Sequence, residues 1–194
     1  MYADDTHLTF ASNNSNDIQS HVNEDLEYVF FWLKANKLTL NMTKTEFMLL
    51  GSHQRLSTFT ATPILSINNS LVRQVNAAKS LGVIIDDNLN WSSHIHELSK
   101  KVACGIGTIK RIRHLVPQET LHLIFKSLVQ PHFDYCNVVL GNCGVTLQVK
   151  LQKLQNRAAR VLTYSNYDTE ASHLLEQLGW KTLSNQQNYQ RALS

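Results

Sequence analysis

The hydrophobic period changes near residue 90, and this limits the folds open to the chain. From there on, Ile95, Leu98, Val102, Ile106, Ile109 and Ile112 recur at steps of three and four, one face of a long helix stopped by Pro117. Pro117-Gln118-Glu119 opens a second helix, with Pro in its first turn. It is carried by Leu121, Ile124, Phe125 and Leu128 until Pro131. A glycine-bounded break at Gly141–Gly144 precedes a third helix, Val145–Leu162, and Ala171–Leu178 and Leu183–Leu193 give two shorter ones.

Before residue 90 the pattern is mixed. Thr6–Ala11 alternates weakly and reads as a strand leaving a turn at Ala3-Asp4-Asp5. Asn13–Asn16 signals a helix start. Ile18, Val22, Leu26, Val29, Phe30 and Leu33 then place one apolar face on a helix over Asp17–Asn36. Tyr28, Phe31 and Trp32 widen that face and predict burial on more than one side. Leu38, Leu40 and Met42 alternate, Glu46–Gly51 reads as a short strand, and residues 52–63 as a loop. Leu65-Ser66-Ile67 and Leu71-Val72 flank a hairpin turn at Asn68-Asn69-Ser70. Leu81–Ile85 reads as a strand ending in the turn Asp86-Asp87-Asn88. The fold class expected is therefore α+β: a mixed part over residues 1–88, then an all-helical part over 89–194.

Composition removes several classes. At 43% hydrophobic and 17% charged over 194 residues, the chain has enough apolar surface to build a core, which excludes disorder as the main state. No apolar run reaches the roughly 18 residues of a membrane span. Met1 leads straight into Tyr2-Ala3-Asp4-Asp5, so no signal peptide is read, and an intracellular place, nuclear or cytoplasmic, is expected. Three cysteines cannot form a disulfide framework. Cys104 and Cys136 fall in apolar helical context and are expected to be buried. Cys136 and Cys143 lack zinc-ligand spacing, and His94 and His96, two apart on a helix, do not face one another.

The net charge of +3 averages two unlike halves. Residues 1–97 hold 6 Lys/Arg against 10 Asp/Glu, a net −4, and residues 98–194 hold 12 against 5, a net +7. The basic half has an extreme in Val145–Leu162. There Leu147, Leu151, Leu154, Ala158 and Val161 share an arc of about 80°, and Lys150, Lys153, Arg157 and Arg160 share another. No acid in that helix neutralises them. Like charges three and four apart repel, and a phosphate backbone relieves that repulsion. Lys100 and Arg111, nearly aligned on the first long helix, extend the patch. The alternatives are a nucleic-acid interface and a merely solvated face.

The acidic half has its own candidate in Asp4-Asp5. Adjacent carboxylates on a tight turn offer the hard oxygen ligands that Mg2+ prefers. Tyr2-Ala3-Asp4-Asp5 resembles the catalytic box of reverse transcriptases, specifically the LINE-type, jockey-like class of non-LTR retrotransposons. Leu38-Thr39-Leu40-Asn41-Met42-Thr43-Lys44-Thr45 is similar to that family's next palm motif, and Lys79-Ser80-Leu81-Gly82-Val83 resembles its primer grip. Leu89–Ile95, Tyr135-Cys136-Asn137 and Leu154–Arg160 look like the thumb and the region after it, so the resemblance covers nearly the whole chain.

That resemblance implies an RNA-directed DNA polymerase working by two-metal phosphoryl transfer, with Mg2+ or Mn2+ as cofactor. It implies dNTP as substrate in the full-length enzyme, and an RNA template and RNA–DNA duplex as partners. Asp4 becomes the main metal ligand and Asp5 its assistant. Tyr2 lies by the incoming nucleotide, Lys44 by the leaving pyrophosphate, and Leu81 and Gly82 along the primer backbone. Residues 1–88 correspond to the C-terminal half of a polymerase palm, and 89–194 to a helical thumb and its extension. The family's third carboxylate stands upstream of the aspartate pair, where this sequence has only Met1. The isolated chain is therefore expected to be a fragment without polymerase activity. The alternative is a non-catalytic nucleic-acid-binding module built on the basic helices.

Overall fold

The computed structural model describes residues 6–59, 61–135, 137 and 141–193. It is α+β and about 54% helical, so most burial falls to helices. The chain forms two compact units. One comprises residues up to Ala78 with Asp86–Leu89, and the other Lys79–Ile85 with Asn90 onward.

The first unit is built on α1 (Ser15–Ala35), whose N-cap Asn14 accepts a bond from the Asn16 amide. Val22, Leu26 and Phe30 of α1 pack with Leu40, Met42 and Phe47 around buried Leu65, Ile67 and Val72. Two short strand pairs follow among the described residues of this unit. β1 (Glu46–Phe47) runs parallel to β4 (Arg73–Gln74). β2 (Ser66–Ile67) pairs antiparallel with β3 (Ser70–Leu71). Asn68 and Asn69 make the turn between them at φ 49° and 60°, the left-handed geometry a two-residue hairpin needs and asparagine tolerates. Side chains of α1 serve the edge of β2. Gln19 Oε1 accepts from the Ile64 amide at 2.8 Å, and Asn23 Oδ1 from the Ser66 amide at 2.9 Å. These amides bond where a neighbouring strand otherwise does.

Several expectations fail in this unit. Thr6–Ala11 is not a strand: its residues take no strand pairing, and its alternation is too weak to bury a face. Tyr28, Phe31 and Trp32 are exposed, Trp32 by 52%. The small core covers one stripe of α1, and these three residues project from the opposite side. Only Glu46–Phe47 of the Glu46–Gly51 run is strand. Residues 52–63 contain one helical turn, α2 (His53–Leu56), capped by the Ser52 hydroxyl.

The second unit holds the larger core. β5 (Ala77–Ser80) and β6 (Val83–Asp86) pair across a two-residue turn, and the tip of that hairpin belongs to this unit. Ala77-Ala78-Lys79-Ser80 carries no apolar alternation, so β5 left no signal in the sequence. Leu81 sits in the turn rather than in a strand, because Leu81 and Gly82 take φ 47° and 84°. Helices α3 (Ser92–Ile112), α4 (Gln118–Leu128), α5 (Gln130–Asp134), α6 (Val145–Leu162), α7 (Ala171–Gln177) and α8 (Leu183–Leu193) follow. Pro131 does not end the helical path, since it lies in the first turn of α5, where its missing N–H costs nothing.

Ile95, Val102, Ile106 and Ile109 of α3 meet Leu121 and Phe125 of α4 and Leu151 and Leu162 of α6 in one buried cluster. Phe125 also stacks on Trp180 with ring centroids 4.5 Å apart. Gly105 lets α3 approach closely, as a Cβ there would stand 2.8 Å from Val129. Cys143 is buried but Cys104 is exposed, on the outer side of α3 from the Ile95–Ile109 seam. Cys136 lies outside the described residues.

Candidate nucleic-acid interface

Tyr2, Asp4 and Asp5 lie outside the described residues. Lys44 is exposed on a turn organised by Asn41. The Asn41 carbonyl accepts from the amides of Lys44 and Thr45, both at 3.1 Å, and its Oδ1 accepts from the Thr43 amide at 3.1 Å. The Asn41-x-x-Lys44-Thr45 spacing is thus the spacing of a side-chain-capped turn that holds a lysine outward.

Leu81 and Gly82 crown the β5–β6 hairpin. Two bonds hold the tip within the second unit. The Tyr135 hydroxyl donates to the Leu81 carbonyl, and the Ile84 amide donates to His94 Nδ1 at 3.2 Å. A His94 that accepts at Nδ1 carries its proton at Nε2. His94 as a residue is only 6% exposed. Burial first, and the Lys101 ammonium second, hold its pKa below the ordinary histidine value. His132 is lowered by the same two causes. A cavity of about 440 Å³ lies beside the tip, lined by Lys79, Leu81, Gly82, His94, Lys101 and Tyr135 among others.

This arrangement has a pH consequence. The folded state favours neutral His94 and His132, so the unfolded chain takes up protons first as pH falls. The stability they lend is present above the unfolded histidine pKa and is lost as pH drops toward the lowered folded values. Urea denaturation of the helical unit should show lower stability at about pH 5 than at about pH 7.5. His94→Asn, which keeps an acceptor without a titrating ring, should reduce that difference; an unchanged difference would show that His94 does not contribute.

On α6 the basic residues divide. Lys150, Lys153 and Arg157 are exposed within an arc of about 60°, opposite the seam of Leu151, Ala158 and Leu162. None of the three forms an ion pair among the described residues. Arg160 is turned inward instead. Its Nη2 donates to the Thr169 carbonyl at 3.2 Å, and its guanidinium lies over the Tyr167 ring at 5.3 Å. The cause is the chain after α6, which folds over that side of the helix: Leu174 and Leu175 of α7 pack on Ala159. On α3, Lys100 pairs with Glu97 at 2.9 Å, and Arg111 donates to the Thr108 hydroxyl at 3.4 Å. Lys101, His94 and Tyr135 were not singled out from the sequence as site residues. Their signal is packing beside the hairpin tip, which no spacing encodes.

No three His, Cys, Asp or Glu side chains among the described residues come together as a metal-binding group. No described helix is long and apolar enough to cross a membrane.

The homologues of this chain are RNA-directed DNA polymerases of non-LTR retrotransposons, at modest identity. One is the retrovirus-related Pol polyprotein from type-1 retrotransposable element R1 2 of Nasonia vitripennis, 24% identical over 70% of this chain and 34% of its own length. A second is the probable RNA-directed DNA polymerase from transposon X-element of Drosophila melanogaster, 26% identical over 84% of this chain and 18% of its own. The RNA-directed DNA polymerase from mobile element jockey, also of Drosophila melanogaster, is 24% identical over the full chain and 21% of its own length. The chain thus spans 18–34% of the length of these relatives. No family model and no solved structure matches it.

Proposed function

We propose that these residues are a segment of a retrotransposon reverse transcriptase, residues 1–88 from the palm and 89–194 from the thumb and the stretch after it. The observation that carries the reading is the set of exposed, unpaired cations Lys150, Lys153 and Arg157 on one face of α6, in a chain whose homologues are RNA-directed DNA polymerases. That face holds the phosphates of an RNA template–DNA duplex. Lys100, paired with Glu97, and Arg111 lie on the side of α3 away from its Ile95–Ile109 seam and are not counted in that face. Arg160 supports the fold and does not reach phosphate.

Asp4 and Asp5 are hard oxygen donors that suit Mg2+ or Mn2+. When bound, such ions supply the charge that eases attack by a primer 3′ oxygen on a dNTP and departure of pyrophosphate. Lys44, held outward by the Asn41 turn, places positive charge for the pyrophosphate. Gly82, at φ 84° in the turn after Leu81, presents backbone without bulk to the primer.

Tested by themselves, the 194 residues supply only two of the three carboxylates such chemistry uses. Purified chain is expected to bind Mn2+ weakly, as read by water-proton relaxation, and to lose that binding in Asp4→Asn/Asp5→Asn. Primer extension by the same preparation is expected to give no product. Incorporation abolished by Asp4→Asn would overturn the inactive-fragment reading, and Mn2+ binding untouched by the double substitution would overturn the metal assignment.

A further inference from the structure

The loop between α6 and α7 presents two tyrosines backed by arginines. Tyr167 is 87% exposed, an extreme value for so large a ring. Beneath it lies the Arg160 guanidinium, 5.3 Å from the ring centroid. Arg160 donates to the Thr169 carbonyl and its own carbonyl accepts from the Ser165 amide at 3.1 Å, so the loop is tied to it on both sides of Tyr167. Three residues earlier, Tyr164 donates its hydroxyl to the Arg113 carbonyl. The Arg113 guanidinium stands 5.1 Å from the Tyr164 ring, and the His114 ring 5.6 Å from it. This joins the loop to the C-terminal end of α3, where Lys110 and Arg111 are also exposed.

Exposed rings each supported on one face by a guanidinium, beside further unpaired cations, suit one ligand chemistry well. Unpaired nucleobases offer flat π-faces for the rings, and their phosphates answer the arginines. A duplex offers no free base faces along its length. Asp168 and Glu170 sit on the same loop and subtract charge there. Phosphate attraction therefore comes from Arg111 and Arg113, and the loop contributes stacking. We propose that Tyr167, with Tyr164 and Arg113, forms a stacking platform for single-stranded nucleic acid, separate from the duplex-holding face of α6. The proposal rests on the reading of this unit as a nucleic-acid interface. It adds where an unpaired strand, such as template not yet copied, is held.

The test is fluorescence anisotropy of the whole chain with labelled RNA and DNA single strands of about 12 nucleotides, and with a blunt RNA–DNA duplex. Tyr167→Ala is expected to weaken single-strand binding about tenfold, and Tyr167→Phe to preserve it, because the ring face and not the hydroxyl makes the contact. Duplex affinity should be unchanged in both. The RNA and DNA arms show which strand is held, and binding of either supports the platform. Unaltered single-strand affinity in Tyr167→Ala, or an equal loss on duplex, overturns the proposal. Duplex binding by the unaltered chain without any single-strand binding overturns the platform alone. Absence of both overturns the nucleic-acid reading as well. Circular dichroism of the variants controls for folding, which so exposed a ring should leave intact.

Discussion

Phe125→Ala is expected to cost the helical unit about 3–5 kcal/mol. Phe125 is 4% exposed, lies in the cluster that joins α3, α4 and α6, and stacks on Trp180. Truncation removes the ring's burial and leaves a void whose walls are helices fixed by other contacts, so collapse into it is limited. The stacking preference between the two rings is lost as well. Urea denaturation followed by the helical circular dichroism signal measures the effect. Trp32→Ala on α1 is the contrast: its side chain is half exposed and stands away from the core of its own unit, so a change within about 0.5 kcal/mol is expected there. A loss below about 1 kcal/mol for Phe125→Ala would mean that the cluster is not closely packed. The functional corollary is that a chain weakened at Phe125 loses duplex binding only where it unfolds, because Phe125 itself is not on the basic face.

How much could be read in advance follows from where burial lies. The long helices were legible because each keeps one apolar stripe against a large core. Ile95 to Ile112 and Leu147 to Val161 have that period, and the observed helices Ser92–Ile112 and Val145–Leu162 carry it. The asparagine turn at residues 68–69 was legible from local chemistry alone. The strands were legible in part: the hairpin of Ser66–Ile67 with Ser70–Leu71, and pieces of the Glu46–Gly51 and Leu81–Ile85 runs, are there, but their bounds were not. β4 and β5 left no signal, because strands of two to four residues are too short to establish alternation and β5 is Ala-Ala-Lys-Ser. Tyr28, Phe31 and Trp32 misled for a related reason, since aromatic content marks surface able to be buried without naming what covers it. At the site, spacing identified the Lys150–Arg157 face, but periodicity alone could not separate Arg160 from it. The separation depends on the chain returning over α6 at Thr169, a contact nine residues away in sequence.

That separation sharpens the second large effect. The triple substitution Lys150→Gln/Lys153→Gln/Arg157→Gln is expected to flatten the salt dependence of duplex binding by about 2–3 in log K against log salt, close to one unit per phosphate contact. Arg160→Gln is expected to leave the slope alone. It should instead lower stability, by freeing the Thr169 carbonyl and the support beneath Tyr167. The triple variant should move stability the other way. Lys150 with Lys153, and Lys153 with Arg157, are like charges three and four apart on an acid-free helix, and each pair costs a few tenths of a kcal/mol (about 0.2–0.5). Removing the three charges relieves both pairs, so the chain becomes slightly more stable as it binds less. Lost affinity accompanied by a higher urea midpoint cannot come from unfolding, and it assigns the loss to phosphate contact. An unchanged slope, or an equal change in Arg160→Gln, would sink the assignment of this face. Filter binding across a salt series, beside urea melts of the same preparations, distinguishes these results.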